Sequence, residues 1–417
     1  MALATPASLS FALGLWQWLV ARKFPLHQRI AGTGFAPAIS ILKPLKGCDA
    51  TTAESLRSWF NQNYSGAVQV LFGVADVGDP VCEIVRRLIS EYPQRDARLI
   101  VCEKLAGTNA KAAKLVQLEK LARHELILIG DADVRVPPDF LANIVAPFDA
   151  AKSGGSPPAA GAGGVTRPTI GLVSCFYRLA NPTTTAMRWE AIAINADFWS
   201  HVLQSQTLKP LDFALGAAML VPRAALAEIG GFNSLADCLA DDYQLGQRIA
   251  RKGHRIALCP VVVECWHAPM IWGEVWRHQL RWARTIRVCQ PLPYIFSILS
   301  NATLWPLLWL VWGLLQTTIC NSQSGLGPGF GFIALGGIQF HKATIIALIY
   351  VLARIRLAQN LQRLLAPDRD LVSPFWLVPV KDLLQAALWL GAFLGNTVEW
   401  RGRKMELRRD GTLAGEK

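Results

Sequence analysis

Charge is scarce in this chain: acidic and basic residues make up only 17% of the 417 positions, while 52% are hydrophobic, an imbalance for a soluble domain. Nine cysteines are present, yet none forms a CxxC pair and no histidine stands at zinc spacing. That excludes a zinc-cluster reading and fits ordinary packing in a reducing compartment. No internal repeat is evident, and no nucleic-acid-binding motif accompanies the net charge of +12. The basic residues instead gather beside apolar stretches (Arg277, Arg281, Arg284, Arg287; Arg401, Arg403, Lys404, Arg408, Arg409), as side chains facing anionic lipid headgroups do. The expected partner is therefore a lipid bilayer, not nucleic acid.

Positive charge is also missing ahead of the apolar run 8–21, whereas Arg22, Lys23, His27 and Arg29 follow it. A cleavable signal peptide has the opposite order, so the run reads as a retained anchor with its N-terminus outside. Residues from 22 to about 290 then face the cytoplasm, as the catalytic part of a multi-pass membrane protein would. Further stretches of membrane-spanning length occupy 302–320, 330–352 and 372–396. The expected layout is an N-terminal transmembrane anchor over 1–24, a catalytic domain over 36–290, a membrane domain of about three transmembrane or interfacial helices over 291–400, and a basic tail over 401–417. Three full crossings would leave Arg401-Gly-Arg-Lys404 outside, against the positive-inside tendency. One apolar segment is thus open to an interfacial reading: 291–299 lying flat, or the last stretch, which contains Lys381-Asp382.

Between these segments the pattern alternates. Strands are expected at 39–42, 68–74, 98–102 and 125–129, with helices at 52–62, 81–92 and 110–122. Such alternation implies an α/β fold, a Rossmann-like, mostly parallel sheet that binds ligands at the carboxyl ends of its strands. Lys46, Asp76 and Asp131 follow three of those ends. Farther on, strands are expected at 171–175 and 215–220 and helices at 186–203, 223–229 and 242–252; the low-complexity run 150–164 reads as a surface loop.

The chemistry concentrates in Ile129-Gly-Asp131-Ala-Asp133, which ends the apolar run 126–129. Two carboxylates at a strand end are hard oxygen ligands with which Mg2+ or Mn2+ bridges to a nucleotide diphosphate. Read alone they serve equally as a solvated turn. Asp76 is suited to a base or ribose and Lys111, at a helix start, to the nucleotide's other side, although Asp76, Asp79 and Pro80 also make a turn and cap. Asp242 in Ala240-Asp-Asp-Tyr243 is the candidate general base, with a first-turn helix residue as the alternative. Arg281 supplies a guanidinium for a pyrophosphate and Trp282 a wall for an acceptor, unless they snorkel and anchor at a membrane surface. Their joint occurrence, in this order on a strand-helix ground plan, favours the chemical reading.

These segments resemble the ceramide glucosyltransferase family, a membrane branch of the inverting transferases of GT-A fold. The likeness spans nearly the whole chain: Leu42-Lys-Pro-Leu-Lys-Gly47, Asp76-Val-Gly-Asp79-Pro80, Tyr92-Pro with Asp96-Ala-Arg-Leu99, Asn109-Ala-Lys111, Gly130-Asp-Ala-Asp-Val-Arg-Val136, Ala240-Asp-Asp-Tyr243, Arg281-Trp282 and Trp400-Arg-Gly-Arg403. The resemblance implies a UDP-sugar site built from Asp76, the Asp131/Asp133 pair, Asp242 and a (Gln/Arg)-x-x-Arg-Trp motif that falls on His278, Arg281 and Trp282. Lys46, Asp76, Lys111, Asp131, His278, Arg281 and Trp282 are then the donor-binding residues, Asp131 and Asp133 the metal ligands, and Asp242 the catalytic residue. Two departures stand out: His278 replaces Gln or Arg, and Asp-Ala-Asp is closer to general metal-binding transferases than to the animal enzymes. The implied function is inverting transfer of a hexose from a UDP-hexose to a membrane lipid hydroxyl, that of ceramide in glucosylceramide synthesis. The alternatives are a hopanoid acceptor with UDP-N-acetylglucosamine and a processive polysaccharide synthase.

Overall fold

The computed structural model describes residues 3–30, 34–103, 106–153, 168–322, 332–335, 338–367, 373–400 and 403–414. After helix α1 (Ala4–Lys23) come β1 (Ile39–Pro44), α2 (Thr52–Phe60), β2 (Val68–Val74), α3 (Val81–Glu91), β3 (Asp96–Val101), α4 (Ala110–Leu121) and β4 (Leu126–Gly130). The chain continues through β5 (Val134–Arg135), α5 (Phe140–Ser153), β6 (Ile170–Leu179), α6 (Thr185–Ile192), a π-helical stretch Ala193–Phe198 and α7 (Trp199–Leu208). Next are β7 (Ala218–Pro222), α8 (Arg223–Glu228), α9 (Asp241–Arg251), β8 (Arg255–Cys265), α10 (Trp272–Cys289), α11 (Pro291–Phe296) and α12 (Leu304–Ser322). The last part contains β9 (Phe332–Leu335), β10 (Ile338–His341), α13 (Lys342–Leu365), α14 (Leu377–Phe393), β11 (Thr397–Trp400), β12 (Arg403–Leu407) and β13 (Leu413–Ala414).

Two compact units result. The sheet unit holds Pro25–Thr183, Ser205–Met270 and Glu399–Lys417; the helical unit holds Met1–Phe24, Thr184–Gln204 and Ile271–Val398. In the sheet unit eight strands run in the order β3-β2-β1-β4-β7-β6-β8-β5. The first four are mutually parallel, with Ile41 of β1 opposite Val70 on one side and Leu128 on the other. Strand β1 is buried along its whole length, as a central parallel strand covered on both faces must be. Ile39, Ile41, Trp59, Phe60, Phe72, Leu128 and Phe140 form the heart of its core. Strand β7 is antiparallel to β4 and sets Ala218 beside Gly130, so the segment entering β7 arrives where β4 releases its acidic turn.

In the helical unit, α13 and α14 are the helices long and apolar enough to cross a membrane among the described residues. A pair bent by 41° at residues 301–303, Pro291–Ser300 with Leu304–Gln316, would add a third only if it counts as one span. The expected apolar span 330–352 is not continuous helix, because β9 and β10 pair antiparallel before α13 begins at Lys342. Lys381 and Asp382, which interrupt the last apolar stretch, are buried in an ion network. Arg354 of α13 holds Asp382 through Nε and Nη2, both at 2.8 Å, and Asp197 through Nη2 at 3.0 Å to each oxygen, while Lys381 bonds Asp197 and Thr303 donates to Asp382 at 2.5 Å. Two cations meet two anions, so the cluster is neutral and its members are mutually satisfied. Asp197 lies in the π-helical stretch that splits the expected helix 186–203. Residues 154–164 of the low-complexity run and Arg401-Gly402 of the tail lie outside the described residues.

Candidate active site

The acidic turn after β4 is fixed from behind by side chains that need particular neighbours. A Cβ on Gly130 would stand 2.7 Å from the Trp59 ring, so only glycine lets that indole pack beneath the strand end. Trp59 Nε1 donates to the Val134 carbonyl at 2.8 Å, and the fully buried Lys43 lies 4.2 Å from the Trp59 ring centre while donating to the Asp131 carbonyl. Burial pushes the Lys43 ammonium down to about 7, against the pull of Asp131 and Asp133. The Asp131 amide donates to the Ala217 carbonyl at 3.1 Å and the Val134 amide returns to the Asp131 carbonyl at 3.3 Å. The main chain is thereby held and both carboxylates are turned outward, about a third exposed, at 35% and 34%.

On the open side a lysine joins two acidic segments. Lys111 Nζ lies 2.8 Å from Asp131 Oδ1 and 3.1 Å from Asp241 Oδ2. Although burial opposes its charge, Asp131, Asp241 and Asp242 together hold the ammonium well above the ordinary lysine range. Lys111 is in place because Asn109, fully buried, caps α4 with its side-chain oxygen on the amides of Lys111 (2.9 Å) and Ala112 (3.1 Å). Asp242, the second residue of α9, accepts from the Tyr243 amide at 2.7 Å and packs so tightly on Gly216 that a Cβ there would meet its Oδ2 at 2.5 Å. Burial and then the adjacent Asp241 raise the Asp242 carboxyl to about 6, Lys111 opposing them. Asp133 faces His267 Nδ1 at 3.5 Å.

Of the residues marked in the sequence, Lys111, Asp131 and Asp242 thus lie in one electrostatic group. Asp76 and Lys46 are exposed on the loops after β2 and β1 and take no part in the Lys111 ion pairs. Asp76 accepts from its own Gly78 amide at 2.9 Å, while Asp79 ties the two loops together by accepting from Gly47 (2.9 Å) and Val81 (3.0 Å). His278, Arg281 and Trp282 belong to the helical unit, on one face of α10, where His278 Nδ1 is 2.7 Å from buried Glu190 and its ring meets Trp282 at 4.8 Å. Five further residues escaped sequence reasoning: Asp241, Lys43, Gly216, Glu190 and His267. Asp241 adjoins a marked residue and Lys43, near the end of β1, belongs to the marked segment Leu42–Gly47, whereas nothing local to Glu190 or His267 announces their partners.

The donor set suits a hard divalent cation. Asp131 and Asp133, each about a third exposed and separated by one residue, offer carboxylate oxygens, with the His267 imidazole beside Asp133; among the described residues no group of three His, Cys, Asp or Glu side chains stands together to hold a metal by itself. Mg2+ in nucleotide sites is held in that way, by one or two carboxylates plus the substrate's phosphates.

A family model described as Glycosyl transferase family 21 matches residues 2–156 and 162–413. Ceramide glucosyltransferase 1 of Caenorhabditis elegans is 22% identical over 399 residues, covering 94% of this chain and 76% of that relative. Ceramide glucosyltransferase 3 of the same organism is 22% identical over 403 residues, covering 94% and 77%. Among solved structures, mannosyltransferase PcManGT from Pyrobaculum calidifontis, in complex with GDP-Man and Mn2+, aligns with a TM-score of 0.48 and 19% identity, covering 92% of this chain and 99% of that one.

Proposed function

Because the chain belongs to glycosyl transferase family 21, we propose that it moves a hexose from a UDP-sugar to a hydroxyl of a membrane lipid with inversion, ceramide being the acceptor and glucose the sugar. The observation that carries this is the Lys111 ammonium held between Asp131 and Asp241, next to an Asp242 carboxyl raised to about 6. At neutral pH that carboxyl is ionised and yet more basic than an ordinary one, which is what a general base requires. The lipid hydroxyl gives its proton to Asp242 as its oxygen bonds to the anomeric carbon, and the bond from that carbon to the UDP oxygen breaks on the opposite face. A single displacement gives a β-linked product from an α-linked donor, without a covalent enzyme intermediate. Lys111 offers its charge to the departing diphosphate, with Lys46 and Asp76 toward the nucleotide and His278, Arg281 and Trp282 completing the donor and acceptor contacts. Mg2+ or Mn2+ held by Asp131 and Asp133 would neutralise the negative charge that builds on the leaving group. The two relatives named ceramide glucosyltransferases support the choice of acceptor.

The tail supports one reading of the topology. The chain leaves the sheet unit at Met270 and re-enters it at Glu399, which supports an even number of crossings over 271–398. With α13 and α14 as the crossings, the bent pair before them would not cross, and the basic residues after α1 would mark the cytoplasmic face. The test is a donor-by-acceptor panel on the detergent-purified chain, with UDP-glucose or UDP-N-acetylglucosamine against ceramide or a hopanoid and mass spectrometry of the lipid. Glucosylceramide is expected; a hopanoid product or a sugar polymer would replace this reading, and full turnover by Asp242→Asn would remove the base assignment.

A further inference from the structure

The basic tail is not a loose appendage of the membrane helices. Beyond Arg403 it folds back as the hairpin β12–β13, with Leu407 opposite Leu413 and Glu406 opposite Ala414. Its turn is closed locally: Thr412 donates from its amide (3.0 Å) and hydroxyl (2.7 Å) to Asp410, and Gly411 takes a positive φ of 84°. Met405, Leu407 and Leu413 are buried at 7%, 1% and 3% exposure, although the segment is rich in arginine.

The outer edge of this hairpin pairs with loop 236–240, immediately ahead of Asp241 and Asp242. Thr412 bridges Cys238 in antiparallel fashion, Leu413 N–H donates to the Asp237 carbonyl at 2.8 Å and Leu239 N–H donates to the Gly411 carbonyl at 3.2 Å. The opposite edge of the same loop grips the start of α4. Asn109 N–H donates to the Ala236 carbonyl (2.8 Å) and its Nδ2 to the Cys238 carbonyl (2.7 Å), while Thr108 donates from N (2.9 Å) and Oγ1 (3.2 Å) to Asp237. Gly107, with φ of 91°, approaches the Ala236 carbonyl so closely that a Cβ would lie 2.5 Å from it. Asn109 in turn caps the helix that carries Lys111. Loop 236–240 is therefore clamped between the tail and the helix whose lysine pairs with both acidic segments.

The geometry points to the C-terminal hairpin, residues 403–414, as a positioning element of the nucleotide site: it fixes loop 236–240, and through it the separation of Lys111 from Asp241 and Asp242. This rests on the UDP-sugar reading above. A charge-neutralising lysine and a base must keep their geometry to a fraction of an ångström, and a misplacement near 1 Å costs roughly a hundredfold in rate.

The test removes residues 403–417 from the full chain and adds a synthetic peptide of residues 399–417 in trans. UDP affinity is read by calorimetry in the presence of Mn2+, and turnover with UDP-glucose and ceramide in mixed micelles. The truncated chain is expected to bind UDP and turn over roughly tenfold to a hundredfold less well, with its melting temperature kept and both losses reversed by the peptide. A peptide N-methylated at Leu413, which lacks only the amide that bonds Asp237, is expected not to rescue. In the full chain, Leu413→Pro provides the same loss without truncation. Equal UDP affinity in full and truncated chains would overturn the proposal alone, as would a loss accompanied by a lowered melting temperature and no rescue, since the hairpin would then be a fold staple. A full chain that binds no UDP would overturn the donor reading, and this proposal with it.

Discussion

Two ion clusters in this chain are built from the same residue types and do different things. Around Arg354, two cations meet two carboxylates and every charge has its opposite. Around Lys111, that ammonium and the buried Lys43 face four carboxylates, Asp131, Asp133, Asp241 and Asp242. The first is neutral and closed. The second carries surplus negative charge, part of it on the third-exposed oxygens of Asp131 and Asp133, and in it burial, helped by the adjacent Asp241, makes Asp242 hold a proton more readily than a carboxyl ordinarily does. Balance marks a cluster that holds helices; imbalance marks one that awaits a cation, a phosphate partner or a proton.

The same substitution in both places breaks the comparison most directly. Asp242→Asn is expected to cut turnover by roughly a hundredfold to ten thousandfold, the range of a lost general base, with no fall in melting temperature. The sign follows from linkage: the folded carboxyl titrates near 6, above its unfolded value, so the stability it gives is complete below about pH 4 and is lost as pH rises through 6. At pH 7 its charge therefore burdens the fold, and an amide relieves it. Asp382→Asn should do the reverse, leaving Arg354 and Lys381 with Asp197 alone and costing about 3–5 kcal/mol. Calorimetric melting and initial rates on the two variants separate the cases; a stable Asp382→Asn enzyme would show that the helical cluster is not closed. Replacing the charges together, Arg354→Met with Asp382→Leu, should recover most of that loss, because a balanced buried pair contributes little net stability over apolar side chains.

Backbone rather than charge separates the clusters at Gly216. A methyl at that position would meet Asp242 Oδ2 at 2.5 Å, in space only hydrogen fills. Gly216→Ala should displace the base and lower kcat roughly tenfold to a hundredfold with a smaller change in the Michaelis constant for the donor. An unchanged kcat would place Asp242 away from the reacting hydroxyl.

The parallel half of the sheet was legible because short, nearly continuous apolar runs mark β1, β2 and β4, and β2 and β4 are each followed by an aspartate turn. Strand β8 was not, since Pro260 interrupts an 11-residue strand that tolerates it beside register shifts opposite Cys175–Tyr177. Nor was the π-helical stretch that presents Asp197, whose composition is that of any buried helix. The sequence reads the tail as a basic segment facing lipid headgroups: charge dominates Arg403-Lys-Met-Glu-Leu-Arg-Arg409, and the alternation of Met405 and Leu407 is too short to announce a hairpin. In the site, sequence marked Asp242 by its motif but gave no reason to prefer Asp241 as the lysine's partner, because which of two adjacent carboxylates faces Lys111 depends on how loop 236–240 enters α9.

That division of labour between adjacent carboxylates yields the finest test of the imbalance. Asp241 supplies the second-largest influence raising Asp242, after burial, and also one of the two oxygens on Lys111. Removing its charge with Asp241→Asn takes away a repulsion that disfavours ionised Asp242, so the acid limb of kcat should move from near pH 6 to lower pH, by a unit or less. Lys111 keeps Asp131, so the lysine stays charged and the limb's movement belongs to Asp242 alone. The Michaelis constant for the donor should rise a few-fold as Lys111 loses one tether. A pH–rate profile that keeps its acid limb in this variant would mean that the titrating base is not Asp242, and that the surplus of negative charge serves the cation and the diphosphate only.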